Sequence, residues 1–239
     1  MPRGINQYDE RRLQGLNLAN ANSVNIISPG GIVTDGQVLH VDAGNFHSYP
    51  LTGTTWYDIS GRRENGNFNN SPTYSRDGAG SISFSSSAFI RFANLTLTNK
   101  SCTICMWLKA NNAGQYTAPF SLWLASGTHI WTENTTKNYY WLGGGFTGGP
   151  LLFNHTGANY DYIVTTFDAT NATCYKNAVQ TAQTASSDFD TTTFGVNLAV
   201  RNGQNFWSGN IAAFTVYNRP LLKEEVSQNF NATRARFGI

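Results

Sequence analysis

The feature that most constrains this chain is a series of short segments, rich in β-branched and aromatic residues, between residues 37 and 218. Gly, Asn, Asp or Pro bounds each segment, as expected for strands joined by turns. Only 13% of the residues are charged, and no repeat of solenoid or propeller length is present. The pattern predicts an all-β fold, a two-sheet antiparallel jelly-roll sandwich. The predicted strands are 37–43, 81–84, 88–92, 102–110, 121–126, 128–132, 139–143, 151–155, 161–168, 172–178, 194–201 and 210–218.

The end of the chain changes from strand to helix periodicity. Four residues after Pro220 recur at helical spacing and form one apolar stripe: Val226, Phe230, Thr233 and Phe237. We therefore expect one short C-terminal helix that covers a face of the sandwich, with Gly238 as its C-cap residue.

The strand before this helix alternates in the manner of a half-buried strand. Alternation predicts that Phe214 and Val216 point into the sandwich. Ile211 and Tyr217 are then expected on the other, partly covered face.

The first 35 residues are polar, and all their charges fall within the first twelve positions. Such a segment cannot bury enough apolar surface to fold alone. We therefore expect an extended N-terminal arm over residues 1–35 and a domain over residues 36–239. The arm either contacts a partner or folds back over its own sandwich. The residues predicted to contact a partner are Arg3, Tyr8, Arg11, Arg12, Leu13 and Leu16.

Three cysteines, Cys102, Cys105 and Cys174, are expected to be free, buried thiols. Residues three apart in a strand point to opposite faces, so Cys102 and Cys105 are badly placed to chelate one metal ion. A disulfide between Cys174 and either of them is the less favoured alternative.

Charge argues against a nucleic-acid partner, and the length of the apolar runs argues against a membrane span. The formal net charge is only +2, and the short basic clusters have acidic neighbours, which is unlike a nucleic-acid interface. No apolar run is long enough to span a bilayer. The first twelve residues lack the apolar core of a secretory signal, so synthesis in a cytoplasm is expected.

Four parts of the sequence resemble the concanavalin A-like lectin/glucanase superfamily, in its laminin-G-like jelly-roll branch. The first part is close to a form common in tailed-phage proteins, and the last matches in strand, turn and helix order. The parts are VLHVDAGNFHSYPLTGTTWYDISG (38–61), SISFSSSAFIRFAN with CTICMWLKA (81–94 and 102–110), DYIVTTFDATNATCYKNAVQTA (161–182) and FWSGNIAAFTVYNRPLLKEEVSQNFNATRARFGI (206–239).

The resemblance implies a non-enzymatic structural protein of a tailed-bacteriophage virion. We expect a capsid decoration or cement protein on the outer capsid surface, made in the host cytoplasm. Its partners would be the major capsid protein and copies of itself, with a homotrimer as the first expectation and a dimer as the second. The alternative is a carbohydrate-binding, lectin-like module for host attachment, on the capsid or the tail.

Departures from the superfamily pattern argue against chemistry in this chain. It lacks the Glu-x-Asp-x-x-Glu strand with which superfamily glucanases flank a sugar bond. Small residues, among them Ala212 and Ala213, stand where many relatives carry acids. No cofactor or metal site is predicted, and Asp42, Asp58 and Asp161 are interpreted as turn or strand-end residues. They would be the remaining ligands of a structural calcium ion, which stays an alternative.

The carbohydrate alternative depends on aromatic residues between positions 116 and 146. Alternation along strands should send about half of these rings to the core and leave the rest exposed. The residues predicted to stack on a sugar are Trp123, Trp131, Tyr140 and Trp141.

Overall fold

The computed structural model describes residues 31–85, 87–97, 101–111, 117–123, 129–133, 138–142, 151–154, 157–168, 170–185, 193–201 and 203–239. Within them the chain forms strands and one α-helix, α1 (Lys223–Thr233), followed by a 3₁₀ turn (Arg234–Phe237). The strands are β1 (Gln37–Asp42), β2 (Thr55–Trp56), β3 (Gly66–Asn69), β4 (Thr73–Ser75), β5 (Ser81–Phe84), β6 (Phe89–Thr96), β7 (Cys102–Ala110), β8 (Thr117–Trp123), β9 (His129–Glu133), β10 (Asn138–Leu142), β11 (Leu151–Asn154), β12 (Asp161–Phe167), β13 (Asn171–Lys176), β14 (Val179–Ala185), β15 (Thr193–Leu198), β16 (Val200–Arg201), β17 (Asn205–Phe206) and β18 (Gly209–Tyr217).

Most of these strands belong to two antiparallel sheets. The first, which we call the helix-side sheet, has the order β14-β13-β12-β7-β18-β5-β4, with β1 also paired to β18. The second, the open sheet, has the order β11-β10-β9-β8-β15-β6-β3-β2. Strands β16 and β17 form a separate small hairpin. The predicted two-sheet antiparallel sandwich is confirmed.

The core lies between the two sheets and follows the alternation of the strands. In β7, Ile104, Met106 and Leu108 point into it, whereas Cys105 and Trp107 belong to a second cluster on the outer face. Every residue of β18 is buried, because the C-terminal helix covers the outer face of the helix-side sheet. A strand buried on both faces loses the polar alternation of a surface strand.

The helix packs through the predicted apolar stripe, and that prediction is confirmed. The rings of Trp107 and Phe237 stack with centroids 4.0 Å apart, and Phe230 stacks on the same indole at 5.8 Å. The indole Nε1–H of Trp107 donates to Thr233 Oγ1 at 2.9 Å. Gly238 adopts the left-handed conformation of a C-cap residue, with φ of 73°.

A bulge in β18 corrects one prediction about its faces. Ile211 pairs with Leu108, but Ala213 pairs with the next residue, Trp107, so Ala212 is an extra residue in β18. Because one extra residue reverses the alternation, Ile211 enters the main core and does not share the face of Tyr217. Phe214 and Val216 point into the sandwich as predicted, and Tyr217 is covered on the helix side.

The three cysteines are free and buried, as predicted. Cys102 and Cys174 lie in the core between the sheets, whereas Cys105 lies on the helix side of β7. Burial raises the pKa of the Cys105 and Cys174 thiols to about 12 and that of Cys102 further. These thiols are therefore protonated and unsuited to nucleophilic chemistry at neutral pH.

No helix among the described residues is long and apolar enough to cross a bilayer.

Candidate functional site

The predicted arm lies mostly outside the described residues. Arg3, Tyr8, Arg11, Arg12, Leu13 and Leu16 all belong to residues 1–30, so their partner-binding role stays a prediction. The described part, 31–35, is attached to the last strand and the helix.

Three hydrogen bonds join the segment to the domain, and a fourth links Asn229 to Tyr217 within the domain. The buried amide of Asn229 accepts from Val33 N at 2.7 Å and donates to the Tyr217 hydroxyl at 3.0 Å. The same hydroxyl donates to the Val33 carbonyl at 2.9 Å, and Gln228 Nε2 donates to Gly31 O at 2.9 Å. The N-terminal segment therefore joins the domain on its helix side.

The predicted sugar-stacking residues lie on three neighbouring strands of the open sheet. Trp131 in β9 and Tyr140 in β10 are directly paired across the two strands. Trp141 pairs with Ile130, and Trp123 in β8 pairs with Gly195. The side chains of these four residues lie outside the described part of the structure. The register brings Trp131 and Tyr140 together, and the stacking role of all four stays a prediction.

A second group of suitable residues lies on the same sheet, where β3 pairs with β6. Asn67 is paired with Arg91, and Asn69 is paired with Phe89. Ile90 and Phe92, which alternate with Phe89 and Arg91 along β6, are buried in the core. The side chains of Asn67, Asn69, Phe89 and Arg91 are therefore on the outer face of the open sheet. We call this group the β3–β6 face. Asn67 is exposed and the other three residues are half-buried.

Neighbouring residues hold Arg91 in place on the β3–β6 face. Its Nε donates to Oδ1 of Asn197 at 3.1 Å, and Asn197 is itself only 2% exposed. The guanidinium carbon lies 5.5 Å from the centroid of the Phe89 ring, which is within cation–π distance. The orientation of Arg91 is thus fixed before any ligand arrives, which lowers the entropy lost on binding.

The hairpin of β16 and β17 forms a wall beside this face. The Phe206 ring lies 6.3 Å from that of Phe89, at an interplanar angle of 42°. Ser121 Oγ donates to Val200 O at 2.6 Å, which joins the hairpin to β8. Two half-buried aromatic rings therefore border a surface that carries amide and guanidinium groups.

The chemistry of the β3–β6 face suits recognition of a polyhydroxylated ligand. Asn side chains both donate and accept hydrogen bonds, and the arginine fork only donates. Aromatic rings offer the apolar surface on which such a ligand can lie. The sequence interpretation missed this face because GNFN (66–69) is polar and was not predicted to be a strand. The one available signal was Arg91, a charged residue within a predicted strand.

The acidic residues considered as calcium ligands have partners within the chain. Asp58 accepts from the backbone N–H of His40, Ser60 and Glu64, at 2.9, 2.8 and 3.1 Å. The predicted turn role of Asp58 is confirmed. Asp161 forms an ion pair with Lys176 at 3.2 Å, although burial raises the pKa of its carboxyl. In the described part of the chain, no three His, Cys, Asp or Glu residues form a group that could hold a metal ion.

Comparison with solved structures shows the same fold in several binding domains. The chain is similar to the binding domain of Paraclostridial Mosquitocidal Protein 1, with a TM-score of 0.65 and 14% identity over 83% of this chain and 52% of that one. It is similar to the receptor-binding domain of the botulinum neurotoxin C/D mosaic serotype, with a TM-score of 0.64 and 14% identity over 83% of this chain and 51% of that one. It thus spans about half the length of these two toxin domains.

A third structure aligns with this chain over almost its whole length. Domain 4 of AbnA, an extracellular arabinanase of Geobacillus stearothermophilus solved with arabinotriose, aligns over 81% of this chain and 97% of its own length. The TM-score is 0.62 and the identity 14%. At such identities the likeness establishes the fold alone.

The sequence itself matches a known family over more than half of its length. Residues 84–227 match a laminin G-type family model of the concanavalin A-like lectin/glucanases superfamily. No curated protein sequence matches the chain significantly. From the family match and the jelly-roll sandwich together, the chain belongs to the concanavalin A-like lectin/glucanases superfamily.

Proposed function

We propose that this chain is a binding module that recognises carbohydrate through the β3–β6 face. The observation that carries the proposal is the register of Asn67 with Arg91 and of Asn69 with Phe89, which groups two amides, a guanidinium and a ring on one face. The arabinanase domain that was solved with arabinotriose supports a saccharide as the ligand class. The toxin relatives named as binding and receptor-binding domains support a module that binds rather than catalyses.

The accessible part of the face is about as large as one sugar ring. Asn67 and Asn69 lie two residues apart on β3, and each is paired with a residue of β6. One inter-strand spacing of about 4.8 Å and two residues of about 3.4 Å give a patch of roughly 5 by 7 Å. A saccharide lying on this patch would reach the Phe89 and Phe206 rings at its side.

A paired substitution tests the site directly. Phe89→Ala should weaken glycan binding by about 30-fold, because truncating an aromatic anchor typically costs about 2 kcal/mol. Phe46→Ala is the matched control, since Phe46 is 67% exposed and lies in the loop after β1. The wild-type chain would first be screened on a glycan array, and its best ligand would then be titrated by calorimetry against both variants. Equal affinity of the two variants would refute the β3–β6 face as the binding site.

The positions predicted from sequence provide the competing location on the same sheet. Trp131→Ala and Tyr140→Ala would be titrated with the same glycan. If these substitutions abolish binding while Phe89→Ala does not, the ligand lies on β9 and β10. That result would support carbohydrate binding but place the site on β9 and β10 instead of the β3–β6 face. Absence of any array signal for the folded wild-type chain would contradict the carbohydrate proposal itself.

A virion role is the second candidate, namely a capsid decoration protein of a tailed phage. The attachment of residues 31–35 favours it, because a segment fixed on the helix side leaves the open sheet on the opposite side for ligand or host contact. The partners would be the major capsid protein and further copies of the chain, arranged as a trimer.

The test of the virion role uses two N-terminal deletions. Removal of residues 1–30 keeps the hydrogen bonds of Gly31 and Val33, whereas removal of 1–35 breaks them. Both proteins would be checked for cooperative unfolding, for oligomeric state by sedimentation, and for co-sedimentation with capsids lacking the protein. Full capsid binding by a folded chain that lacks residues 1–30 would refute a role of the arm.

A further inference from the structure

A cavity of about 130 Å³ lies between the helix and the helix-side sheet. Trp107, Tyr162 and Ala213 form its floor on β7, β12 and β18, and Asn229 and Thr233 line it from α1. It lies on the opposite side of the sandwich from the β3–β6 face. The carbohydrate proposal therefore makes no use of it.

The cavity exists because small residues stand opposite large ones. The bulge in β18 places Ala213 beside Trp107 on the helix side. The indole is held away from the sheet by its stacking on Phe237 and by its hydrogen bond to Thr233. Because the Ala213 side chain is only a methyl group, the space between it and the indole stays open.

The opening of the cavity is polar. Arg236 closes one side, where its guanidinium donates to Asp42 Oδ1 at 2.5 Å and to Gly78 O at 2.6 Å. His40 and Thr215 form the other side, with His40 Nδ1 at 2.9 Å from Thr215 Oγ1. Because Asp42 and Arg236 neutralise each other, the opening carries little net charge.

Several polar groups of the cavity wall already have hydrogen-bond partners. The Asn229 amide bonds to Val33 and Tyr217, and the Trp107 N–H bonds to Thr233. Nδ1 of His40 pairs with Thr215 Oγ1, and Nε2 has no hydrogen-bond partner among the described residues. A polar atom at the edge of a cavity with aromatic walls is the arrangement that orients a small ligand.

We propose that this cavity binds a small neutral molecule made of one aromatic ring and one hydroxyl group, of the size of phenol. An apolar cavity of about 150 Å³ accommodates benzene, so the volume here suits a single ring. The Trp107 and Tyr162 rings supply flat apolar walls for it. The hydroxyl group meets His40 Nε2, and it can donate or accept, whichever tautomer the imidazole adopts. A charged ligand would lose its hydration without finding an opposite charge that is not already paired.

The test compares three probes on the full chain: phenol, benzene and benzoate. Binding would be followed by ligand-observed NMR and by the tryptophan fluorescence of the chain. We expect saturable millimolar binding of phenol, several-fold weaker binding of benzene, and none of benzoate. No saturable phenol binding up to its solubility limit, or benzoate binding as tight as that of phenol, would overturn the proposal.

Two variants locate the ligand. Ala213→Leu fills the cavity and should abolish phenol binding, whereas the exposed Ala93→Leu on the open sheet should leave it unchanged. If Ala213→Leu does not fold, Ala213→Val makes the same test with less added volume. His40→Phe combined with Thr215→Val should remove the preference for phenol over benzene. Unchanged phenol affinity in the folded Ala213 variant would place the ligand elsewhere and refute the site.

Discussion

Replacing Asn229 by alanine tests the attachment of the N-terminal segment to the domain. Asn229 is 3% exposed, and its amide bonds to both Val33 N and the Tyr217 hydroxyl. Alanine leaves the Val33 N–H without a protein acceptor and the hydroxyl without one of its partners. The Tyr217 hydroxyl keeps its bond to the Val33 carbonyl.

The magnitude follows from these groups. A buried N–H left without a partner costs about 1–3 kcal/mol, and the lost hydrogen bond to Tyr217 adds about 1 kcal/mol. Alanine improves helix propensity over asparagine by roughly 0.5 kcal/mol. We therefore expect Asn229→Ala to lower the free energy of unfolding by about 1.5–3.5 kcal/mol.

The matched control is Asn231→Ala, the same substitution two residues later on the exposed face of α1. Both variants gain the same helix propensity, so their difference isolates the buried hydrogen bonds. Urea unfolding followed by tryptophan fluorescence would measure both free energies. Hydrogen exchange at the Val33 amide would show locally whether the segment has detached.

Two results would refute this reasoning. The first is a destabilisation by Asn229→Ala that does not exceed that of Asn231→Ala. The second is an unchanged exchange rate at the Val33 amide, which would mean that Asn229 does not hold the segment. We expect Asn229→Ala to lower the stability and also to speed hydrogen exchange at the Val33 amide.

Other predictions concern the β13–β14 turn, the half-buried His40 and the thiols. Ala178 has φ of 64° in this two-residue turn, so Ala178→Gly should raise stability by about 0.5–1 kcal/mol, and a lower melting temperature would contradict this. Burial lowers the pKa of His40 below its usual 6.5, despite the opposing carboxylates of Asp42 and Asp58. The unfolded chain therefore binds the proton more readily, so stability present above about pH 6.5 is lost as the pH falls towards the folded-state pKa. Urea unfolding at pH 7.5 and 5.5 should show a larger loss for the wild type than for His40→Gln, and equal losses would exclude this role. The three thiols should react with a disulfide reagent only after unfolding, and rapid labelling of the native chain would contradict their burial.

Local sequence was a reliable guide where the pattern was strong. The bounds of β7 and β5 agree with the prediction, and the helical stripe packs as expected. Polar strands escaped detection, among them β3 (GNFN) and β14 (VQTAQTA). In these strands partner strands supply the backbone hydrogen bonds, and their own residue pattern carries little strand signal.

The faces of the strands were predictable only where the alternation was unbroken. The bulge at Ala212 reversed the side of Ile211, and it also made the space for the cavity beside Ala213. A bulge depends on the pairing of β18 with β7, residues that are about a hundred positions apart in sequence. The alternation within β18 itself gives no sign of it.

The sequence by itself determined the fold class, the closing strand and helix, and the buried thiols, because each depends on periodicity within a few neighbouring residues. Tertiary structure alone decided which polar residues meet. Asn67 and Arg91 share the β3–β6 face because β3 pairs with β6 in one register, and a shift by one residue would put Arg91 opposite a core position. That register is set by long-range packing between the sheets, so the candidate site became visible only in the folded chain.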